Sequence, residues 1–206
     1  MAKILGAFKS GVRAGFDPLG RALVRAGVSP DVVTLIGTVG VVAASIGLVA
    51  HGRFIAATVV ITVCCLLDVL DGSMARARGH TSRFGALLDS TMDRIADGAL
   101  FASLVWWMAV TGERLLTVVA LISLIGGQLV SYVKARAEGL GFSCDVGIAE
   151  RMERLIIVGV GGLLTGAGVG WGLPAALWLL AVLTVITVGQ RLEHVRRQAR
   201  AAASRT

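Results

Sequence analysis

Long uncharged runs of apolar residues alternate with short charged stretches along most of this chain. The runs at 32–50 and 115–133 are long enough to cross a bilayer, because about 20 helical residues span its hydrocarbon core. A third run, 155–190, is too long for one crossing, and its centre reads TGAGVGWGLP, which is typical of a turn. The pattern therefore predicts an all-α integral membrane protein.

Taken together, the apolar runs of the chain predict six transmembrane helices. They lie at roughly 32–50, 54–77, 85–111, 114–137, 152–168 and 173–197. The second and third extend into an acidic stretch because neither of their apolar runs spans the bilayer alone. Their charged ends must then face protein or water rather than lipid. We expect a single membrane domain over 1–206, with 1–30 as an interfacial segment and 31–206 as a six-helix bundle.

The first thirty residues have the pattern of an amphipathic helix at the membrane surface. Leu5, Phe8 and Val12 fall on one helical face, while Lys3 and Lys9 can reach lipid headgroups. A frayed basic tail is the alternative interpretation. We predict an N-terminal interfacial amphipathic helix.

Composition agrees with a membrane protein, and the positions of the basic residues predict its orientation. Hydrophobic residues make up 55% of the chain and charged residues only 16%, and the mean hydropathy is +0.80. In a soluble protein, a net charge of +7 would suggest binding to nucleic acid. Here most of the Lys and Arg residues lie at the helix ends on one predicted side of the membrane, as is typical of the cytoplasmic side. We predict a multi-pass protein of the plasma (inner) membrane with both termini and the active site cytoplasmic, and no nucleic-acid partner.

Four aspartates cluster near the predicted cytoplasmic ends of helices 2 and 3. Asp68 and Asp71 are three residues apart, and Asp89 and Asp93 are four apart, so each pair shares a helix face. Four carboxylates at one place repel one another unless they are protonated or bind a metal. Oxygen ligands without Cys or His favour Mg²⁺, Mn²⁺ or Ca²⁺. The alternative is a charged helix end that merely reaches water.

The acidic residues belong to a longer pattern with fixed spacing. It reads Asp68-x2-Asp71-Gly72-x2-Ala75-Arg76-x8-Gly85-x3-Asp89-x3-Asp93. This pattern resembles the signature of the CDP-alcohol phosphotransferase family, with each motif position filled. Members of that family are membrane enzymes that displace CMP from a CDP-linked substrate with an alcohol as the nucleophile.

The resemblance implies roles for particular residues. Asp68, Asp71 and Asp89 are expected to hold two divalent ions, Mg²⁺ or Mn²⁺, with Asp93 also near the metals and acting as the general base. The expected binding site for CDP-diacylglycerol (CDP-DAG) comprises Asp31, Thr34, Asp68, Gly72, Ala75, Arg76 and Gly85. Asp31 stands where the family more often has Asn, and it can instead cap the first helix. The resemblance also implies a homodimer.

A basic cluster bears on the identity of the acceptor alcohol. Lys134, Arg154 and Arg191 lie at the same predicted membrane face and are candidates for binding an acceptor phosphate. The same residues also fit the excess of basic residues in cytoplasmic loops. The tract SYVKARAEGLG, followed by ERMERL, is similar to the actinobacterial phosphatidylinositol phosphate synthases within this family.

That similarity implies transfer of the phosphatidyl group from CDP-DAG to the hydroxyl of inositol 1-phosphate, with release of CMP. A phosphatidylglycerophosphate synthase that uses glycerol 3-phosphate is the nearest alternative. A divalent-cation transporter and a purely structural membrane subunit remain as other classes. Transport predicts acidic residues at matching depths across the bundle, whereas here they cluster on two helices.

Overall fold

The fold is built from helices of unequal length joined by short connections. The computed structural model describes residues 17–77 and 82–203, except for the side chains of 68, 69, 71 and 75–77. The helices are α1 (residues 17–25), α2 (Pro30–Gly47), α3 (Phe54–Ala77), α4 (Arg83–Val110), α5 (Arg114–Gly139), α6 (Arg151–Gly166) and α7 (Gly172–Ala203), with a single 3-10 turn at Val49–His51. Within the described ranges there is no strand. The predicted all-α fold is confirmed.

Four of the helical segments are long and apolar enough to cross a membrane. They are Pro30–His51, Phe54–Met74, Arg114–Gly139 and Gly172–Ala203. Large apolar side chains along them, such as Val39, Ile125 and Val185, are more than half exposed, as is expected of surfaces that face lipid. The chain is a membrane protein.

The other two predicted crossings correspond to α4 and α6. The first half of α4 carries the acidic motif residues, and α6 has 16 residues. At 1.5 Å per residue α6 is about 24 Å long, which is less than the roughly 30 Å of the hydrocarbon core. Both helices are found close to their predicted bounds, and their passage through the membrane remains a prediction. The amphipathic face predicted for Leu5, Phe8 and Val12 lies outside the described residues.

The described residues form two compact units. The first holds the described parts of residues 1–47 and 59–99, and the second holds 48–58 and 100–203. In the first unit, Val33, Leu70 and Met74 form a buried core, against which partly buried side chains of α1 pack.

In the second unit, α7 packs against α5 and α6. Small residues allow this approach: a Cβ atom at Gly161 would lie 2.5 Å from Cβ of Ala176 and 3.0 Å from the carbonyl oxygen of Gly172. The turn predicted at 165–174 separates α6 from α7. Gly168 there has φ of 95°, a left-handed conformation that ends the helix and suits glycine.

Candidate active site

Two helices of the first unit carry the acidic motif. Asp68 and Asp71 lie in α3 and Asp89 and Asp93 in α4, so the predicted helical spacing of each pair is confirmed. The side chains of Asp68, Asp71, Ala75 and Arg76 are among those that the structure does not describe. Among the side chains that it does describe, no group of three Asp, Glu, His or Cys could hold a metal ion. The four-aspartate metal site therefore stays a prediction, and its oxygen-only ligands suit Mg²⁺ or Mn²⁺.

The predicted general base has a basic neighbour on its own helix. The Asp93 side chain is 19% exposed, and its Oδ2 lies 3.8 Å from Nη2 of Arg94. The same nitrogen lies 4.0 Å from Oδ2 of the buried Asp97. Arg94 thus stands between two carboxylates, one of which belongs to the motif.

Two of the residues assigned to the CDP-DAG site come together in the first unit. A Cβ atom at Gly85 would lie 3.4 Å from Oδ1 of Asp31, so the Asp31 carboxylate faces the backbone of α4. The N–H of Gly85 donates to Oγ of Ser82 at 2.7 Å, which caps the start of α4. The Thr34 hydroxyl donates to the carbonyl oxygen of Pro30 at 3.2 Å within α2. Gly72 lies half-buried on α3.

A contact between α1 and the motif helix was missed from the sequence. Ser73, next to Gly72 of the motif, donates its hydroxyl hydrogen to Oδ1 of Asp17 at 2.5 Å. Close by, a Cβ atom at Gly20 would lie 3.0 Å from Oγ of Ser73. The close approach and the hydrogen bond hold α1 against the part of α3 that carries the motif. A polar side chain at a position that the motif leaves variable was the only signal in the sequence.

The three basic residues predicted to bind the acceptor phosphate lie in the second unit, around the connection between α5 and α6 (residues 140–150, hereafter the α5–α6 loop). Lys134 Nζ lies 2.6 Å from Oδ1 of Asp145 and 3.8 Å from Oε1 of Glu138. Its side chain is about one-third exposed. The hydrogen bond from Lys134 lowers the pKa of the Asp145 carboxyl below its usual value. Of the three, Lys134 is the one that water reaches readily.

Arg191, in contrast, is buried and bonded to protein groups. Its Nε donates to the carbonyl oxygen of Val146 at 2.8 Å, and Nη1 donates to the carbonyl oxygen of Val130. Nη2 lies 3.4 Å from Oε1 of Glu150. Each of its three nitrogens therefore contacts a protein group, and the guanidinium joins α7 to α5 and to the α5–α6 loop.

Arg154 is also buried, with 1% of the residue exposed. Its Nη1 donates to the carbonyl oxygen of Ala149 at 3.1 Å. A Cβ atom at Gly127 of α5 would lie 3.2 Å from Nε of Arg154. Because glycine has no side chain, α5 leaves room there for the guanidinium. Lys134, Arg154 and Arg191 thus come from three helices and each contacts the α5–α6 loop. Their binding of a phosphate stays a prediction.

Two polar residues of α7 that sequence reasoning missed also hold this loop. The Thr187 hydroxyl accepts hydrogen bonds from the N–H groups of Ile148 and Ala149, at 3.2 Å and 3.1 Å. Gln198 accepts from the N–H of Ser143 at 3.1 Å and donates to its carbonyl oxygen at 2.7 Å. These partners are 38 to 55 residues apart in the chain, so no local pattern announces them.

Comparison with known proteins identifies the family. The model of the CDP-alcohol phosphatidyltransferase family matches residues 27–189. This chain belongs to that family. The match contains the whole acidic motif as well as Lys134 and Arg154.

Named relatives of this family are similar along most of the chain. The phosphatidylinositol phosphate synthase of Mycobacteroides abscessus is 50% identical over 182 residues, which cover 87% of this chain and 83% of that protein. The phosphatidylinositol phosphate synthase of Mycobacterium tuberculosis is 48% identical over 187 residues, covering 86% and 84%.

Crystal structures of the Mycobacterium tuberculosis enzyme share this fold. The structure with CDP-DAG bound matches with a TM-score of 0.84 and 47% identity, and it covers 87% of this chain and 92% of that one. The structure in complex with manganese and citrate matches with a TM-score of 0.84 and 46% identity, covering 87% and 88%.

Proposed function

We propose that this protein is a phosphatidylinositol phosphate synthase. It transfers the phosphatidyl group of CDP-DAG to the hydroxyl of inositol 1-phosphate and releases CMP. The observation that carries the proposal is the 50% identity, across most of both chains, to a relative of that name. The intact acidic motif supports the chemistry. The position of Lys134, Arg154 and Arg191 around the α5–α6 loop supports a phosphorylated acceptor.

The reaction is a direct displacement at the phosphorus that bears the diacylglycerol. The acceptor oxygen forms a bond to this phosphorus, the bond to the CMP oxygen breaks, and CMP leaves with the electron pair. Asp93 accepts the hydroxyl proton of the acceptor, as a carboxylate within reach can. Asp31, Thr34, Gly72, Ala75, Arg76 and Gly85 hold the donor together with Asp68. Arg94, at 3.8 Å from Asp93, restricts the orientation of that carboxylate.

Two divalent cations, Mg²⁺ or Mn²⁺, would be held by Asp68, Asp71, Asp89 and Asp93. When bound, they neutralise the pyrophosphate and the charge that gathers on the departing CMP. The metal-bound structure of the Mycobacterium tuberculosis enzyme supports a divalent ion in the family. The four oxygen ligands and the absence of Cys or His from the motif support the choice of metal.

The proposed arrangement in the membrane has six crossings, including α4 and α6, within a single domain. The N-terminal segment 1–30 lies at the interface, and both termini and the active site face the cytoplasm across the plasma membrane. The excess of Lys and Arg at that face supports this orientation. We also propose a homodimer, which small residues on the helices permit by allowing close packing.

The test is CMP release by the purified full-length protein with CDP-DAG and Mg²⁺. The acceptors are inositol 1-phosphate, glycerol 3-phosphate, free inositol and serine. Turnover with inositol 1-phosphate alone is expected, and Asp93→Asn should abolish it. Glu113→Gln makes the same carboxylate-to-amide change at the opposite proposed membrane face and should leave the rate unchanged.

Turnover with a different acceptor, or with none, would change the proposed function in different ways. Turnover with glycerol 3-phosphate alone keeps the mechanism and replaces the acceptor. A preference for free inositol or serine removes the role of the basic cluster in binding the acceptor. CMP release with none of the four, from folded protein, contradicts the proposed function and favours ion transport, which flux into proteoliposomes would then measure.

A further inference from the structure

The ammonium of Lys134 already has a carboxylate partner in the structure. Asp145 Oδ1 lies 2.6 Å from Lys134 Nζ, a distance typical of a charge-assisted hydrogen bond. A second carboxylate, that of Glu138, has its Oε1 at 3.8 Å from the same nitrogen. Asp145 therefore occupies the contact with Lys134 that the proposed function assigns to the phosphate of the acceptor.

The backbone around Asp145 is anchored on both sides. Ser143 is bonded to Gln198 through its N–H and its carbonyl oxygen. The carbonyl oxygen of Val146 accepts from Nε of the buried Arg191 at 2.8 Å. Between these anchors the Asp145 side chain is 78% exposed. The backbone is thus fixed, whereas the carboxylate can rotate into water without breaking packing.

The two anions differ in charge. Asp145 offers Lys134 one negative charge, and a phosphate monoester carries close to two at neutral pH. A dianion therefore gains more from the ammonium than Asp145 does, whereas a monoanion gains no more than the carboxylate that it displaces. A neutral alcohol gains no charge–charge attraction from this ammonium.

We infer that Asp145 is an intramolecular competitor for Lys134. It holds the ammonium while the acceptor is absent, and the phosphate dianion of the acceptor displaces it. This inference rests on the proposed function, which assigns Lys134 to that phosphate. As a consequence, Asp145 sets the affinity of the site and makes it respond to dianions rather than to monoanions.

Inorganic phosphate, titrated calorimetrically into the intact protein without divalent metal, is the probe. Asp145→Asn keeps the shape of the side chain and removes its charge. Loss of one negative charge a few ångströms from a dianion at a hydrated surface should tighten phosphate binding about three- to tenfold. Glu138→Gln removes an equal charge beside the same ammonium but not the short contact, and less than a twofold change is expected. Lys134→Met should abolish the binding.

Three outcomes would overturn the inference. Equal tightening in Asp145→Asn and Glu138→Gln would indicate a general charge effect. Unchanged or weaker binding in Asp145→Asn would make Asp145 a residue that only orients Lys134. Phosphate binding that survives Lys134→Met would lie elsewhere in the protein. The acceptor panel with the wild-type enzyme is independent of this titration, so failure of the proposed acceptor and failure of the competition are distinguished.

Discussion

Arg191 and Lys134 were assigned the same role from the sequence, but the structure gives them different surroundings, and this difference predicts different consequences of substitution. Arg191→Met keeps the apolar part of the side chain and removes the guanidinium. The carbonyl oxygens of Val130 and Val146 then lose a charged donor. Hydrogen bonds to charged groups contribute about 1.5–3 kcal/mol each. For two such bonds, the free energy of unfolding should therefore fall by about 3–6 kcal/mol.

Lys134→Met is the matched substitution at the exposed position. Lys134 is one-third exposed and its partner Asp145 is mostly exposed, so water screens their ion pair and its loss should change stability little. At roughly 2–4 °C per kcal/mol for a chain of this size, Arg191→Met should lower Tm by about 6–24 °C. Lys134→Met should lower it much less.

Thermal unfolding in micelles, followed by far-UV circular dichroism, measures this contrast. The KM for the phosphorylated acceptor, measured at a temperature where both variants are folded, separates stability from binding. Lys134→Met should raise this KM while it leaves Tm nearly unchanged. Equal Tm values for the wild type and Arg191→Met would refute the conclusion that Arg191 braces the α5–α6 loop.

Two further predictions follow from the second unit. In denaturant titrations, Gly161→Ala should be less stable than Gly159→Ala by about 1–3 kcal/mol, because only a Cβ atom at position 161 would overlap Ala176. Both substitutions gain the same helix propensity, so the difference reports packing alone. Equal stabilities would contradict the close packing. Because the Lys134 ammonium lowers the pKa of Asp145, their bond should persist as pH falls to 3.8 and be lost only below it. The midpoint of the Asp145 titration, followed by the carboxyl ¹³C shift, should lie below pH 3.8 and move back towards 3.8 in Lys134→Gln. The same midpoint in both proteins would contradict the pairing.

Hydrophobic patterning predicted the helices well, because helix bounds depend on local sequence. The predicted segment 54–77 is found as Phe54–Ala77, and 85–111 as Arg83–Val110. The earlier start of α4 follows from the Ser82 cap, a side chain to backbone contact that the apolar run does not reveal. The aspartate spacing likewise predicted the faces of α3 and α4, since spacing along a helix is a local property.

The environment of the basic cluster was less accessible from the sequence. A count of Lys and Arg treats each residue alike, whereas burial distinguishes Arg191 from Lys134. Arg191, Thr187 and Gln198 bind the α5–α6 loop from α7, tens of residues away in the chain, and such contacts leave no periodic pattern. Asp145 carried no signal either, because a lone acid in a loop is ordinarily solvated.

Synthesis of phosphatidylinositol phosphate by direct displacement yields one lipid product and one CMP, so both products are best measured together. The full-length protein would be incubated with CDP-DAG, inositol 1-phosphate and Mg²⁺, with CMP quantified and the lipid identified by mass spectrometry. We expect phosphatidylinositol phosphate and CMP in equal amounts, both lost in Asp93→Asn and unchanged in Glu113→Gln. CMP without this lipid, or the lipid at full rate from Asp93→Asn, would contradict the claim.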